Sequence, residues 1–294
     1  MGKKVVGIGE VVWDMLPDGP VLGGAPLNFA FVAYELGCRS AVISAVGRDE
    51  LSEDALSRIR EIGIDTSLIQ RNDLPTSRVI ITLDSDGIPH YEILENVAWD
   101  DIACPDVAMK AVAGADAVCW GSLAQRSLRS RGAILSMLDS ARRDCLKVFD
   151  VNLRQHYYDR EILGNSLKRS DILKLNEDEL PALADIFGFG ADKTSAIAGI
   201  IREFSLSWLI YTAGASFSEI YGGDGDILSH IDTPKVNVAD TVGAGDAFTA
   251  GFVSALLNGK SVADAHKQAV RVSAYMCTRK GAINPIDKHF KLND

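Results

Sequence analysis

Short apolar runs alternate with longer amphipathic segments along most of the chain. Short, mainly apolar segments of four to six residues predict strands at 5–9, 41–46, 117–120, 147–151, 172–175 and 208–212. Apolar residues at helical spacing predict helices over 28–36, 51–62, 131–142, 177–187, 195–204 and 262–278. Continuous apolar strands that alternate with helices indicate a parallel sheet covered on both faces. We therefore expect an α/β fold, a doubly wound and mainly parallel sheet, with a short hairpin at 218–230.

Two segments depart from this rhythm. In 11–16 and 79–94 apolar and polar residues alternate, as in antiparallel strands with one exposed face, and 84–87 reads as a turn. We expect a small β-sheet lid, formed by about 11–22 and 76–99, within a single domain over 1–294. Both faces of these strands carry apolar residues, so we expect a homodimer joined through its lids, with Trp13 on the outer face.

Composition limits the kinds of partner that the protein is expected to bind. Lys and Arg number 30 against 40 Asp and Glu, a net charge of −10, which argues against nucleic acid or an anionic membrane surface. No apolar run approaches the roughly 18 residues of a membrane span. The five cysteines are scattered and never in Cys-x-x-Cys spacing, which is typical of a reduced, cytoplasmic protein.

The most specific motif covers 240–246, Asp-Thr-Val-Gly-Ala-Gly-Asp, directly before an apolar helical run. Gly243, Ala244 and Gly245 then lie at a helix N-terminus, where backbone N–H groups and the helix dipole attract anions. Asp246 occupies the place of a bound phosphate. A loop that only binds phosphate has no use for that charge, whereas one that positions a hydroxyl for attack on a phosphate does. The alternative is an acidic residue that stabilises the helix dipole.

A second candidate site lies near the N-terminus. The pair Gly23 and Gly24 lets a ligand approach the backbone, and Asn28 offers a donor and an acceptor at the head of a helix. Asp14 can accept hydrogen bonds from hydroxyl groups. These residues suit an uncharged ligand rich in hydroxyls; the alternative is a tight turn with an N-capping Asn28.

Further polar residues follow other predicted strands. Asn176 and Glu179 suit a water-coordinated Mg²⁺, and fit a helix-capping arrangement equally well. Arg154 supplies a basic group that the acidic chain otherwise lacks there, while Thr212 and Gly214 end the next strand. These strand ends meet at one sheet edge, where open α/β sheets bind ligands.

Together these residues resemble the ribokinase/fructokinase (PfkB-type) carbohydrate kinases over essentially the full length of the chain. Gly23, Gly24 and Asn28 are similar to the first family signature, and 240–246 to the second, more specific one. The elements Asn176-x-x-Glu179 and Thr212-x-Gly214 follow in family order.

The resemblance implies ATP and Mg²⁺ as cosubstrates and Asp246 as catalytic base, with Gly243, Ala244 and Gly245 as the anion hole. It implies that Asn176 and Glu179 organise Mg²⁺ and phosphate and that Thr212 and Gly214 line the nucleotide site. Asp14, Gly23, Gly24 and Asn28 would hold the sugar. Asp240, with the loop 280–282, would bind a monovalent cation such as K⁺.

The resemblance defines the reaction more closely than it defines the sugar substrate. Glu10, Asp14 and the Gly-Gly-Ala-Pro run at 23–26 look most like fructokinases, so D-fructose is the expected substrate. Arg154 would also suit the carboxylate of 2-keto-3-deoxygluconate, and ribose or a nucleoside stays open. A different class of function is an inactive sugar-sensing protein on the same fold.

Overall fold

A computed structural model describes residues 2–16, 19–83, 89–190 and 192–292. In these ranges the strands are β1 (Lys4–Ile8), β2 (Val12–Leu16), β3 (Gly19–Gly23), β4 (Arg39–Val46), β5 (Ile69–Arg71), β6 (Arg78–Leu83), β7 (Pro89–Ile93), β8 (Ala117–Trp120), β9 (Leu146–Asp150), β10 (Ile172–Asn176), β11 (Trp208–Ala213), β12 (Phe217–Gly222) and β13 (Ile227–Asp232).

The main sheet has the strand order β13-β12-β11-β10-β9-β8-β1-β4-β5 in the described residues. Neighbours from β11 to β5 pair in parallel, and β12 and β13 add an antiparallel hairpin. The chain leaves β1 toward β4 on one side and later returns to β8 on the other. This reversal opens a crevice at the carboxyl ends of the strands, the usual ligand site of such sheets. The mainly parallel sheet and the hairpin are both confirmed.

Helices cover both faces of this sheet. They are α1 (Ala25–Glu35), α2 (Glu50–Glu61), α3 (Asp106–Ala113), α4 (Leu128–Asp139), α5 (Arg160–Leu167), α6 (Glu179–Phe187), α7 (Lys193–Phe204), α8 (Ala244–Leu257) and α9 (Val262–Cys277). The side chains of successive strand residues point to opposite faces of the sheet. Ile172 belongs to the hydrophobic cluster with α1, α8 and α9, and Leu173 belongs to the cluster with α3 to α7 on the other face. The doubly wound arrangement is thus confirmed. None of the helices in the described ranges has the length and apolar character needed to cross a bilayer.

Some short elements were not predicted. Helices α3 and α5 have eight residues each, too few for a helical period to stand out in the sequence. Strand β3 contains Gly19 and Pro20, which argue against a strand except at an edge, and it is an edge strand of the lid.

The lid is a separate sheet of β3-β2-β6-β7 in the described residues. Its strands lie within 12–23 and 78–93, and the expectation of antiparallel strands is wrong for β2 and β6, which pair in parallel. The predicted turn at 84–87 lies outside the described residues.

The predicted facing of the lid is wrong at Trp13. This side chain is fully buried, its Nε1 donates to the Leu51 carbonyl at 3.1 Å, and the Arg58 guanidinium lies 4.8 Å above its ring. Its face of the lid therefore packs on α2 of the same chain. Alternation shows that a strand has two faces, but not which of them meets the domain.

Candidate active site

The N-terminus of α8 lies at the carboxyl ends of the central strands. Gly243 caps it in the left-handed region at φ 75°, and a Cβ atom there would lie 2.4 Å from the Cβ of Ala282. Only glycine fits this position. The Ala244 N–H donates to the Thr241 carbonyl at 3.2 Å, so Gly243 and Gly245 are the better placed of the three predicted residues to bind an anion.

Asp246 lies in the first turn of α8, and its Oδ2 accepts a 2.8 Å hydrogen bond from Nδ2 of Asn28. This bond joins the N-terminal turns of α1 and α8 across 218 residues of sequence. Burial raises the pKa of Asp246 to about 6, and the negative charge of Asp150 adds to the rise. The Asn28 hydrogen bond and the charges of Lys174 and Arg154 oppose it. The two motifs predicted from the sequence thus meet at one carboxylate.

A buried polar network lies beneath this turn. Lys174 donates to Oδ1 of Asp150 at 3.1 Å, and the Thr249 hydroxyl donates to Oδ2 of Asp150 at 3.1 Å. All three side chains are buried. The Lys174 ammonium lies 3.0 Å from where a Cβ on Gly245 would be, directly below the anion-binding turn. Sequence reasoning gave none of these residues a role; a lysine inside the apolar run 172–175 was the available signal.

The other predicted sugar residues lie where α1 begins and on the lid strands β2 and β3. Gly24 has φ 118°, and a Cβ there would lie 2.3 Å from the Glu10 carbonyl oxygen, so glycine lets α1 begin against the strand. Asp14 is half-buried on β2, and Gly23 pairs with Val12 of the same strand. Burial raises the pKa of Asp14, and the positive charge of Arg154 opposes the rise.

Arg154 is exposed, and its charge acts on Asp14 and Asp246. Two neighbours in its loop, Asn152 and Gln155, have positive φ values of 42° and 48°. Such conformations in non-glycine residues cost energy and cluster at binding sites. The fold therefore holds the loop that presents Arg154 in one particular shape.

Glu10 is a site residue for which the sequence suggested no role beyond its place in the fructokinase-like pattern. It is buried, burial raises its pKa to about 7, and the charges of Asp246 and Arg154 act on it. Its Oε2 and the Oδ1 of Asn28 are buried acceptors without a hydrogen-bond partner among the described residues. Unpaired buried acceptors are costly, so they fit a ligand that brings hydroxyl donors. A glutamate inside the apolar run at the N-terminus was the sequence signal.

Asn176 and Glu179 form the capping arrangement. The Asn176 Oδ1 accepts from the backbone N–H groups of Asp178 and Glu179 at 2.9 Å, and Glu179 accepts from the Asn176 N–H at 2.8 Å. The other Glu179 oxygen accepts from the Leu153 N–H at 3.0 Å. In the described residues no three Asp, Glu, His or Cys side chains gather at a metal-binding distance. The side-chain oxygens of Asn176 and Glu179 are of the kind that suits a Mg²⁺ ion that keeps its waters and takes further oxygens from phosphate.

Two predicted sites flank this centre. Thr212 pairs with Asn176 in the sheet, and Gly214 follows it with its carbonyl bonded to the Thr233 hydroxyl at 3.0 Å. Asp240 accepts from the N–H groups of Gly281 at 2.9 Å and Val242 at 3.1 Å. Asp240 thus fixes the 280–282 loop beside the start of α8, and carbonyl groups in such loops suit a monovalent cation.

Comparison with known proteins gives concordant results. Residues 20–289 match the pfkB family carbohydrate kinase model. A fructokinase of Klebsiella pneumoniae is 30% identical over 87% of this chain and 85% of its own length. An ATP-dependent 6-phosphofructokinase of Thermoanaerobacterium thermosaccharolyticum is 26% identical over 95% of this chain and 89% of its own.

Among solved structures, a sugar kinase from Pyrococcus horikoshii in complex with ATP superposes with a TM-score of 0.80. It is 26% identical over 95% of this chain and 94% of the other. The two sequence signatures, the fold and these relatives all point to the same family of kinases. The chain belongs to the pfkB family of carbohydrate kinases, which are ATP-dependent phosphotransferases.

Proposed function

We propose that this kinase transfers the γ-phosphate of ATP to a hydroxyl group of D-fructose, with Asp246 as the catalytic base. The observation that carries the proposal is the 2.8 Å hydrogen bond between Asn28 and Asp246. It brings a hydroxyl-binding helix start next to a carboxylate on an anion-binding helix start. A sugar hydroxyl held there would lie between its base and the phosphate it attacks.

Asp246 orients the attacking hydroxyl and accepts its proton. The transition state of phosphoryl transfer is loose, so orientation and charge neutralisation supply most of the catalysis. A pKa of about 6 keeps Asp246 ionised at neutral pH and makes it a better proton acceptor than an ordinary aspartate. Asn28 keeps the carboxylate pointed at the substrate.

The negative charge on the transferred group is met by the N-terminal turn of α8. Backbone N–H groups of Gly243 and Gly245, with Ala244 completing the turn, would bind the phosphate oxygens, and the Lys174 ammonium adds positive charge from below. Asn176 and Glu179 would hold Mg²⁺ through water, and the bound ion would neutralise phosphate charge. Thr212 and Gly214 would line the nucleotide site.

The sugar end favours a neutral, hydroxyl-rich acceptor. Asp14 and Asp246 bring negative charge, and the positive charge of Arg154 acts on both. A sugar phosphate would need more cations than this set offers. Gly23 and Gly24 give backbone access, while Glu10 and Asn28 offer buried acceptors for sugar hydroxyls. The similarity to a fructokinase supports fructose.

A second acceptor, 2-keto-3-deoxygluconate, is favoured by one observation. Arg154 is exposed at the sugar end, and one nitrogen of its guanidinium donates to the Leu153 carbonyl at 3.1 Å. The same guanidinium would bind a substrate carboxylate with its other N–H groups.

The test is ADP release from Mg-ATP with a panel of ketoses, aldoses, nucleosides and keto-acids. We expect D-fructose to give the highest kcat/KM. Preference for ribose, a nucleoside or 2-keto-3-deoxygluconate by more than about tenfold would contradict the fructose assignment and leave the kinase. Binding of a sugar without turnover of any acceptor would indicate the inactive sugar sensor.

Three further features belong to the same proposal. A monovalent cation such as K⁺ would bind beside Asp240 and the 280–282 loop. A cytoplasmic location is supported by the free thiols of all five cysteines.

A lid-joined homodimer is supported by two exposed apolar side chains of the lid, Leu16 at 41% and Val21 at 36%. Light scattering tests the dimer, since a mass near 31.7 kDa would contradict it.

A further inference from the structure

We propose that Asp150 is a positioning residue for phosphoryl transfer, which holds Lys174 and the first turn of α8 in place and sets the basicity of Asp246. The proposal rests on the role of Asp246 given above. It extends that role to a carboxylate whose two oxygens accept from Lys174 and Thr249 and which acts through these neighbours.

The geometry shows how Asp150 joins three elements. It is the last residue of β9, its Oδ1 accepts from Lys174 of β10 at 3.1 Å, and its Oδ2 accepts from Thr249 of α8 at 3.1 Å. Both oxygens are therefore in use, and all three side chains are buried. A buried ion pair costs desolvation free energy and stabilises little compared with apolar packing. Its presence at this site points to a role besides stability.

Thr249 shows that the network acts on the catalytic turn. Its hydroxyl lies 3.1 Å from the Gly245 carbonyl, one turn earlier, and 3.1 Å from Asp150. A hydroxyl donates one hydrogen bond, and a carboxylate is the stronger acceptor, so the proton goes to Asp150. Asp150 thereby fixes Thr249 against β9, and with it the turn that carries Gly245 and Asp246.

Charge provides the second effect. After burial, the negative charge of Asp150 is the largest cause of the raised pKa of Asp246. The charged groups that act on Asp246 come from four places: Asp150 on β9, Lys174 on β10, Arg154 in the loop after β9, and Glu10 after β1. Lys174 and Arg154 lower the pKa of Asp246. Without the charge of Asp150, the charges of Lys174 and Arg154 would lower the pKa of Asp246 further. Asp246 would then be a weaker base.

The test is the pH dependence of kcat/KM for Asp150→Asn, with ATP and the best acceptor of the panel. We expect the acid limb, near pH 6 in the unmodified enzyme, to move down by about one pH unit. The plateau should fall about tenfold because the turn is less well held. An acid limb at the unmodified position would overturn the charge effect, whatever happens to the plateau.

The matched control is Asp171→Asn. Asp171 pairs with Lys147 at 3.0 Å across the same two strands, at their opposite end. We expect this variant to keep both the limb and the plateau. If it moves the limb as far as Asp150→Asn does, the effect is not specific to the site and the inference fails.

A second variant covers the case in which Asp150→Asn does not fold. Thr249→Val keeps both charges of the pair and replaces the hydroxyl with a methyl group. We expect kcat to fall several-fold with KM values near those of the unmodified enzyme, and an acid limb that stays in place. Unchanged kcat would overturn the positioning role. Absence of turnover in the unmodified enzyme would instead contradict the proposed function.

Discussion

The two ends of β9 and β10 each carry a lysine–aspartate pair that spans the strands. At the carboxyl end Lys174 and Asp150 are 3.1 Å apart, with side chains 8% and 6% exposed. At the amino end Lys147 and Asp171 are 3.0 Å apart, with side chains 20% and 32% exposed. The two pairs have nearly equal distances, so the difference between them lies in their surroundings.

Those surroundings give the pairs different consequences. Asp171 also accepts from the Lys147 backbone N–H at 2.9 Å, so it fastens the start of the strand pairing where water reaches it. Asp150 is enclosed and lies next to the helix turn that carries Asp246. In a low-dielectric site the charge of Asp150 changes the pKa of a neighbour, whereas solvent screens the partly exposed pair of Lys147 and Asp171. We therefore expect Asp150, and not Asp171, to influence catalysis.

The largest contrast should appear in stability. Asp150→Asn leaves the Lys174 ammonium buried without its partner, which should lower the free energy of unfolding by about 3 kcal/mol. Asp171→Asn breaks a partly exposed pair and should cost about 1 kcal/mol or less. Urea unfolding of both variants at pH 7.5 measures the difference. Equal losses would mean that the two pairs are energetically alike.

An effect of opposite sign, and no larger, is expected for Asp246→Asn. The folded state raises the pKa of Asp246 from its ordinary 3.8 to about 6, so ionisation of this group destabilises the fold. That destabilisation is absent below the ordinary value and complete once the pH exceeds about 6. The variant cannot ionise, so its free energy of unfolding at pH 8 should be higher by up to about 3 kcal/mol, since a pKa rise from 3.8 to about 6 is worth about 1.4 kcal/mol per unit.

The gain of the Asp246→Asn variant should disappear as the pH falls below 4, where Asp246 is protonated in both states. Urea unfolding at pH 8 and pH 3 measures this change. A variant less stable than the unmodified enzyme at pH 8 would show that the carboxylate is stabilised as an ion, contrary to its raised pKa.

The sequence was most informative where a local pattern carries the feature. Apolar runs that end in polar residues predicted the strands and the edge at which Asn28, Asn176 and Asp246 lie. The motif at 240–246 predicted a helix start with a carboxylate because glycines before an apolar helix have few other uses.

Contacts between distant segments could not be read in this way. Thr249 meets Asp150 across 99 residues, and nothing local to either residue predicts the bond. Lys174 and Glu10 lie in apolar runs, where a single charged residue indicates a special environment but not its partner. The burial of Trp13 depended on which side of the lid faces α2, and alternation leaves that choice open.

The assignment of Asp246 as the base is tested most directly by the kcat of Asp246→Asn, measured as ADP release with saturating ATP and the best acceptor. The swap keeps the size of the side chain and an oxygen for the Asn28 hydrogen bond, and removes the proton acceptor. We predict a fall in kcat of at least about 10²-fold, with acceptor binding by calorimetry unchanged within a few-fold. A variant that keeps more than half of the original kcat would contradict it.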